Sequence, residues 1–231
     1  MKILKELYYN KYSKKSFSIS SVDLILDRIF SNFKDGIYLD IGCNHPIKYN
    51  NTYLLFKKGW KGINVDLDND SIKQFNLMRR NDHNVNELIT SKDNEEKDLY
   101  FYHRRSAINT ISKDLAEKRQ TKPINIKKLK GLSINTIIEE SPFKNKKINL
   151  LSIDIENYEY EALKEFKFDK YNIDVIVSEV TDVESTKLEL FNNSLEKITN
   201  SKIYELLTKN NYKLINWVNS DLVFVNKKSK F

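Results

Sequence analysis

Cysteine occurs once in this 231-residue chain, at Cys43. A single thiol forms neither an internal disulfide framework nor a multi-cysteine metal centre, so both are excluded. No apolar run approaches the roughly 20 residues that a membrane-spanning helix needs. The opening stretch "MKILKELYYNKYSKKSFS" has no apolar core long enough for a secretory leader, and a cytoplasmic location is expected. Charge is not segregated by sign: 39 basic residues are interleaved with 32 acidic ones, for a formal net charge of +7. That balance suits solubility and anionic ligands, and it lacks the basic stripe of a dedicated nucleic-acid binder. The sequence is nearly silent on whether the chain forms a homo-oligomer. Glycine is scarce as well, yet Gly36, Gly42, Gly59 and Gly62, four of the five, fall within one short stretch.

That stretch, "GIYLDIGCNHPIKYNNTYLLFKKGWKGINVDLDND", belongs to a chain in which short apolar runs alternate with segments of helical period. "SSVDLILDRIFSNF" puts Val22, Ile25, Leu26, Ile29 and Phe30 on one helical face, behind an N-cap at Ser20 or Ser21. Strands are expected at "IYLDI", "GINVD", "NVNELIT", "INLLSID" and "IDVIVSEV". Helices are expected at "NTYLLFKKG", at "DSIKQFNLMRR" with Asp70 as its cap, and at "SLEKITNSKIYELLTKN". The closing runs "YKLINWV" and "DLVFVN" form a hairpin turning at Asn219 and Ser220. Repeated strand–helix alternation predicts an α/β, Rossmann-like, doubly wound and mostly parallel sheet with a C-terminal antiparallel hairpin. The length suits one domain. Residues 1–35 read as a helical arm packed on a domain spanning 36–231. Residues from about 92 to 130 read as an insertion at the cleft edge, with an extra strand at "KDLYFYH" and a loop entering a helix at "SAINTISKDLAEK".

In such sheets ligands bind beyond the carboxyl ends of the strands. Gly42 follows the first strand, where a missing Cβ lets a ligand approach the backbone, and Asp66 ends the next. A glycine turn followed by a carboxylate for the ribose hydroxyls is nucleoside-binding geometry. The full glycine triplet of a dinucleotide site is absent, since positions 44 and 47 are Asn and Ile. A phosphate-free nucleoside such as S-adenosylmethionine fits better. The two residues would equally serve as a turn glycine and a helix cap.

The stretch "YLDIGCNHPIKYNNTYLLFKKGWKGINVD" resembles the FkbM-like S-adenosylmethionine-dependent methyltransferases, in particular a bacterial branch with an Asn/His-Pro turn and a "GW-x-G-I-N" strand. The resemblance continues through "DSIKQFNLMRRNDHNVNELIT", "SAINTISKDLAEK" and "INLLSIDIENYEYEALKEF…VIVSEV", from about Asp35 to Val180. It departs at Asn157, where the family usually carries Gly, and at Cys43, often Ala. The resemblance implies a class I methyltransferase fold and methyl transfer to a sugar hydroxyl. It further implies a nucleotide-activated sugar in capsule or other surface-glycan synthesis. Donor contacts are expected from Asp40, Gly42, Cys43, Asn44, Asn51, Thr52, Asp66 and Leu67.

An acceptor alcohol needs a base, or a cation that lowers its pKa. Asp154, at the end of "LLSID", is the leading candidate, with helix capping as its alternative role. His45, on the first cleft loop, is a second candidate base or substrate contact. Asp154, Glu179 and Asp182 would converge, and such carboxylates repel unless one is protonated or a hard cation binds; Mg²⁺ or Mn²⁺ is inferred by analogy. Arg104, Arg105, Ser106 and Asn109 in the insertion, with Glu156 and Tyr158, are candidate contacts to a small-molecule acceptor. The alternatives are a catalytically silent donor-binding scaffold, or a methyltransferase acting on another small molecule or on nucleic acid. No Asn-Pro-Pro-Tyr-like motif supports the nucleic-acid version.

Overall fold

A computed structural model describes residues 13–104, 106, 108–180 and 195–231. Among these residues, seven strands form one sheet in the order β3-β2-β1-β6-β7-β9-β8. The strands are β1 (Ile37–Ile41), β2 (Lys61–Asp66), β3 (His83–Asn86), β6 (Leu150–Ile153), β7 (Val175–Glu179), β8 (Tyr212–Val218) and β9 (Asp221–Asn226). The first five run parallel, and β9 and β8 close the sheet antiparallel. This is the Rossmann-like arrangement expected, with the hairpin turning at Asn219 (φ 56). No helix among the described residues is long and apolar enough to cross a membrane.

Strand periodicity divides the core between two faces. Leu39, Ile41, Leu151, Ile153 and Ile176 face one side, against α5 (Ile134–Glu140), α6 (Glu159–Leu163) and α9 (Lys202–Lys209). Tyr38, Leu150, Val175 and Val177 face the other, against Val22 and Leu26 of α1 (Val22–Ile29) and Leu55 of α2 (Tyr53–Lys57). Both faces are covered by helices, which is why these strands read as continuous apolar runs. Each fully buried aliphatic side chain contributes roughly 1.5–3 kcal/mol.

Local chemistry moves several expected boundaries. Helix α3 (Asn69–Met78) is capped by Asp68, whose carboxylate accepts from the backbone N–H of Asp70 (2.8 Å) and Ser71 (3.3 Å). Asp70 therefore lies inside the first turn, which its negative charge suits. Ser21 does precede α1, but at φ 62 and without a side-chain cap bond. Asp23 instead fastens that entry, accepting from the Phe17 N–H (2.7 Å) and the Ser16 hydroxyl (2.6 Å). The single helix expected at "SLEKITNSKIYELLTKN" is two, α8 (Leu195–Thr199) and α9. Ser201 restarts the helix by accepting from the Tyr204 N–H (3.3 Å). The insertion holds α4 (Lys113–Lys118) and two strands, β4 (Glu95–Phe101) and β5 (Asn125–Gly131), paired as a separate antiparallel ribbon.

Candidate functional site

The carboxyl ends of β1, β2, β3 and β6 surround a cleft of about 800 Å³, open to solvent. Ser106, Asn109, Thr110 and Ile111 of the insertion complete its wall. Gly42 lies at its floor with φ 75, and a Cβ there would sit 1.8 Å from the Asp154 carbonyl oxygen. The glycine is needed because the backbone after β6 passes so closely; the approach expected of a ligand is made by the protein itself.

Asp66, half-buried at the end of β2, is held by two backbone donors: Asn44 N–H to Oδ2 and Asp68 N–H to Oδ1, both 2.8 Å. Enclosure outweighs those bonds and pushes its carboxyl up to about 6. An ionised carboxylate has about four acceptor positions, so the two backbone bonds leave it capacity toward the cleft. Gly42, Asn44 and Leu67 share this wall, while Leu88 and Ile89 beyond β3 supply apolar surface.

Four other expected donor contacts do not line the cleft. Asp40 shares the Tyr38 face of β1, and its carboxylate accepts from Asn50 Nδ2 (3.0 Å) and the Thr52 hydroxyl (2.8 Å), with Thr52 fully buried. Asn51 donates to the Ser152 hydroxyl (3.3 Å). Cys43 packs on Ile72 and Phe75, where burial drives its thiol well up. The centre of this buried set is Arg79, which sequence reasoning missed. Its guanidinium donates to the Pro46 carbonyl (3.1 Å from Nε), the Thr52 hydroxyl (2.8 Å) and Asn50 Oδ1 (2.8 Å). The rings of Phe75 and Phe56 lie 4.9 and 5.1 Å from it. Asp82, which accepts from the Tyr38 hydroxyl and Asn64 Nδ2, adds a second carboxylate to the network. The network braces the loop carrying Asn44 from beneath. In "LMRR" nothing but the end of a helix is legible; burial depends on partners distant in sequence.

His45 is part of the same loop. Its Nδ1 accepts from the backbone N–H of Ile47 (3.1 Å) and Lys48 (3.0 Å), so that nitrogen carries no proton and shapes the turn. His45 does not line the cleft.

Opposite Asp66, carboxylate oxygens of Asp154, Glu156 and Glu179 lie within 4.8 Å of one another. Asp154 is exposed where it opens onto the cleft. The protein around it, then the nearby charge of Glu179 and Glu156, raises its carboxyl. Glu179 is also raised, first by burial. Its Oε1 accepts from the Ser220 hydroxyl (3.1 Å), while its buried Oε2 has no donor among the described residues. Glu156 and Asn157 adopt φ 58 and φ 70, a left-handed pair that is costly for residues other than glycine. Three contacts hold this turn. Arg119 at the end of α4 ion-pairs with Glu156, the Thr110 hydroxyl donates to the Glu156 carbonyl (2.8 Å), and buried Glu159 accepts from the Ile155 N–H (2.8 Å). Arg119 and Glu159 are two further residues that sequence reasoning missed.

The remaining expected contacts separate. Ser106 and Asn109 line the cleft. The Ser106 hydroxyl is buried without a partner among the described residues, and Asn109 Oδ1 accepts from the Tyr102 N–H (2.8 Å). Arg104 is exposed and bonded to Asp70. Tyr158 is buried at the far side of the carboxylates. Arg105 and Asp182 lie outside the described residues.

Asp66 and the acidic residues Asp154 and Glu156 thus line one cleft at the strand ends. The family model described as "Methyltransferase FkbM domain" matches residues 40–214, from within β1 to within β8. No curated protein and no solved structure matches the chain. The match covers the cleft-lining residues and the insertion, and the chain belongs to the FkbM methyltransferase family.

Proposed function

We propose that this methyltransferase is S-adenosylmethionine-dependent and transfers the methyl group to a sugar hydroxyl. One juxtaposition carries this reading: Asp66, with acceptor capacity left toward the cleft, and the carboxylates of Asp154 and Glu156 line a single cleft at the strand ends. The donor set suits the nucleoside. Asp66 would accept from the ribose hydroxyls, and Leu67, Leu88 and Ile89 would pack on the adenine. Bound there, S-adenosylmethionine supplies an activated methyl group whose carbon–sulfur electrons leave on sulfur.

The chain's own task is alignment and proton removal. Asp154 takes the acceptor's hydroxyl proton as the oxygen–carbon bond forms, with Glu179 sharing the charge. Glu156 is ion-paired to Arg119 beside them, and burial raises its carboxyl despite that partner. The oxygens of Asp154, Glu156 and Glu179 also suit Mg²⁺ or Mn²⁺, which would lower the hydroxyl's pKa. Arg104, bonded to Asp70, is committed elsewhere, so a phosphate-bearing acceptor has less support than the hydroxyl itself. A role in surface-glycan synthesis follows from the family resemblance alone. A silent donor-binding scaffold is the competing reading, and loss of Asp66 or Asp154 would favour it; both residues are present.

The test is transfer of labelled methyl to a panel of free, nucleotide-linked and polymeric sugars, with and without Mg²⁺ or Mn²⁺. Methyl-ether formation that disappears in Asp154→Ala supports the reading. Donor binding with no transfer to any hydroxyl in the panel would favour the scaffold.

A further inference from the structure

A second hollow of about 1030 Å³, also open to solvent, lies beside the donor cleft and shares Ile111 with it. The two are divided by the carboxylate pair. Asp154 lines the first and Glu179 lines the second, with oxygens within 4.8 Å of each other. Glu179 Oε2 is buried and has no donor among the described residues. While the pair holds a proton, Asp154 is the hydrogen-bond partner of Glu179; once that proton leaves, the buried oxygen needs an O–H donor from a ligand. We propose that the second hollow is the acceptor site, and that it takes an uncharged, hydroxyl-rich ring whose reacting hydroxyl lies against Glu179 and Asp154. This deepens the methyl-transfer reading and rests on it.

The lining decides the ligand class. Tyr160, half-exposed, offers a flat ring face for the C–H side of a pyranose, with Lys202 Nζ 5.6 Å from its centroid. Asn157, on the turn between the two hollows, presents an amide that both donates and accepts. The charged residues do not add up to a phosphate site. Lys113 and Lys202 are the cations of the lining, and Lys113 already lies 3.7 Å from Glu117. Against them stand Asp114, Glu159, Glu179 and Glu161, the last paired with Lys164 at 2.5 Å. No guanidinium lines the hollow among the described residues, so a nucleoside diphosphate would meet carboxylates without the bidentate donors that phosphate recognition favours.

The experiment uses the full chain with S-adenosylhomocysteine, and separately without it, in saturation-transfer NMR. The ligands are methyl glucopyranoside, methyl galactopyranoside and methyl rhamnopyranoside, set against glucose 1-phosphate and UDP-glucose. Transfer to the neutral glycosides is expected, reduced about fivefold or more in Tyr160→Ala and in Asn157→Gly. Glycine relieves the φ 70 strain at position 157, so the second variant keeps the fold. Calorimetry should give both variants the wild-type affinity for S-adenosylmethionine. Transfer confined to the phosphate-bearing compounds, no transfer to any neutral glycoside, or transfer unchanged in both variants would each overturn the proposal. Absence of donor binding in the wild type would instead overturn the methyl-transfer reading, which the calorimetry reports independently.

Discussion

Asp154, just past β6, and Glu179, at the end of the neighbouring β7, hold carboxylate oxygens within 4.8 Å of each other. Neither ion-pairs with a basic residue among the described residues. Like charges this close in an enclosed site favour retention of a proton, and both groups are raised above the ordinary carboxylate range. The sign of the linkage follows. Between the ordinary carboxylate range and about 7, the folded chain keeps protons that the unfolded chain has released, so this pair lowers stability as pH rises. Asp154→Asn removes that penalty. Solvent at the exposed Asp154 screens part of that penalty, so the variant's Tm should exceed the wild type's by about 1–2 °C at pH 8, with the difference shrinking toward pH 4. Thermal unfolding across that range is the check, and an equal or lower Tm at pH 8 would place the pair in a solvated setting.

The same retained proton predicts a difference between donor and product. A sulfonium near the cluster carries a positive charge that favours the ionised carboxylates, whereas the thioether of S-adenosylhomocysteine carries none. Calorimetry near pH 7 in two buffers of different ionisation enthalpy should therefore show proton release, of at most about one per site, with S-adenosylmethionine and less with the homocysteine product. Equal buffer dependence for the two would place the sulfur away from Asp154.

Asp66 and Asp154 should divide binding from turnover. Asp66→Ala removes charge-assisted bonds to the ribose, each worth about 1.5–3 kcal/mol, so affinity for S-adenosylmethionine should fall about 10- to 100-fold. Asp154→Ala should bind the donor normally and lose about 10²–10⁴ of turnover. Because the Asp66 carboxyl is pushed up to about 6, wild-type donor affinity should also weaken below that pH. Unchanged affinity in Asp66→Ala would remove the ribose assignment.

These predictions rest on the part of the molecule that periodicity made legible. Apolar runs such as "VIVSEV" announce buried strands because both of their faces are covered, and the acids at their ends follow from chain direction alone. What stayed hidden depends on partners far apart in sequence. "NIKKLKG" carries three lysines and shows no continuous apolar run; only its pairing with β4 makes it a strand. In "DLDND" three aspartates compete for one cap, and a shift of two residues separates Asp68 from Asp70. Asp40 looked like a cleft residue because Gly42 is close by, yet strand alternation sends its side chain to the opposite face, into the Arg79 network.

That network supplies the last prediction. Arg79 is fully buried and joins the Pro46 carbonyl, Asn50 and Thr52 in one cluster with Asp40. Arg79→Met leaves the Asp40 and Asp82 carboxylates without the positive charge that offsets their burial. Breaking a buried charged set from one side costs about 3–5 kcal/mol, so urea unfolding should show a loss of that size. Arg79→Lys should recover little of it, because one ammonium cannot reach three acceptors arranged around a planar fork. The double variant Arg79→Met with Asp40→Asn should lose less than Arg79→Met alone, since the uncompensated carboxylate is gone. If the double variant is as unstable as Arg79→Met or worse, the arginine acts by packing against Phe56 and Phe75, and the charge account of the loop brace fails.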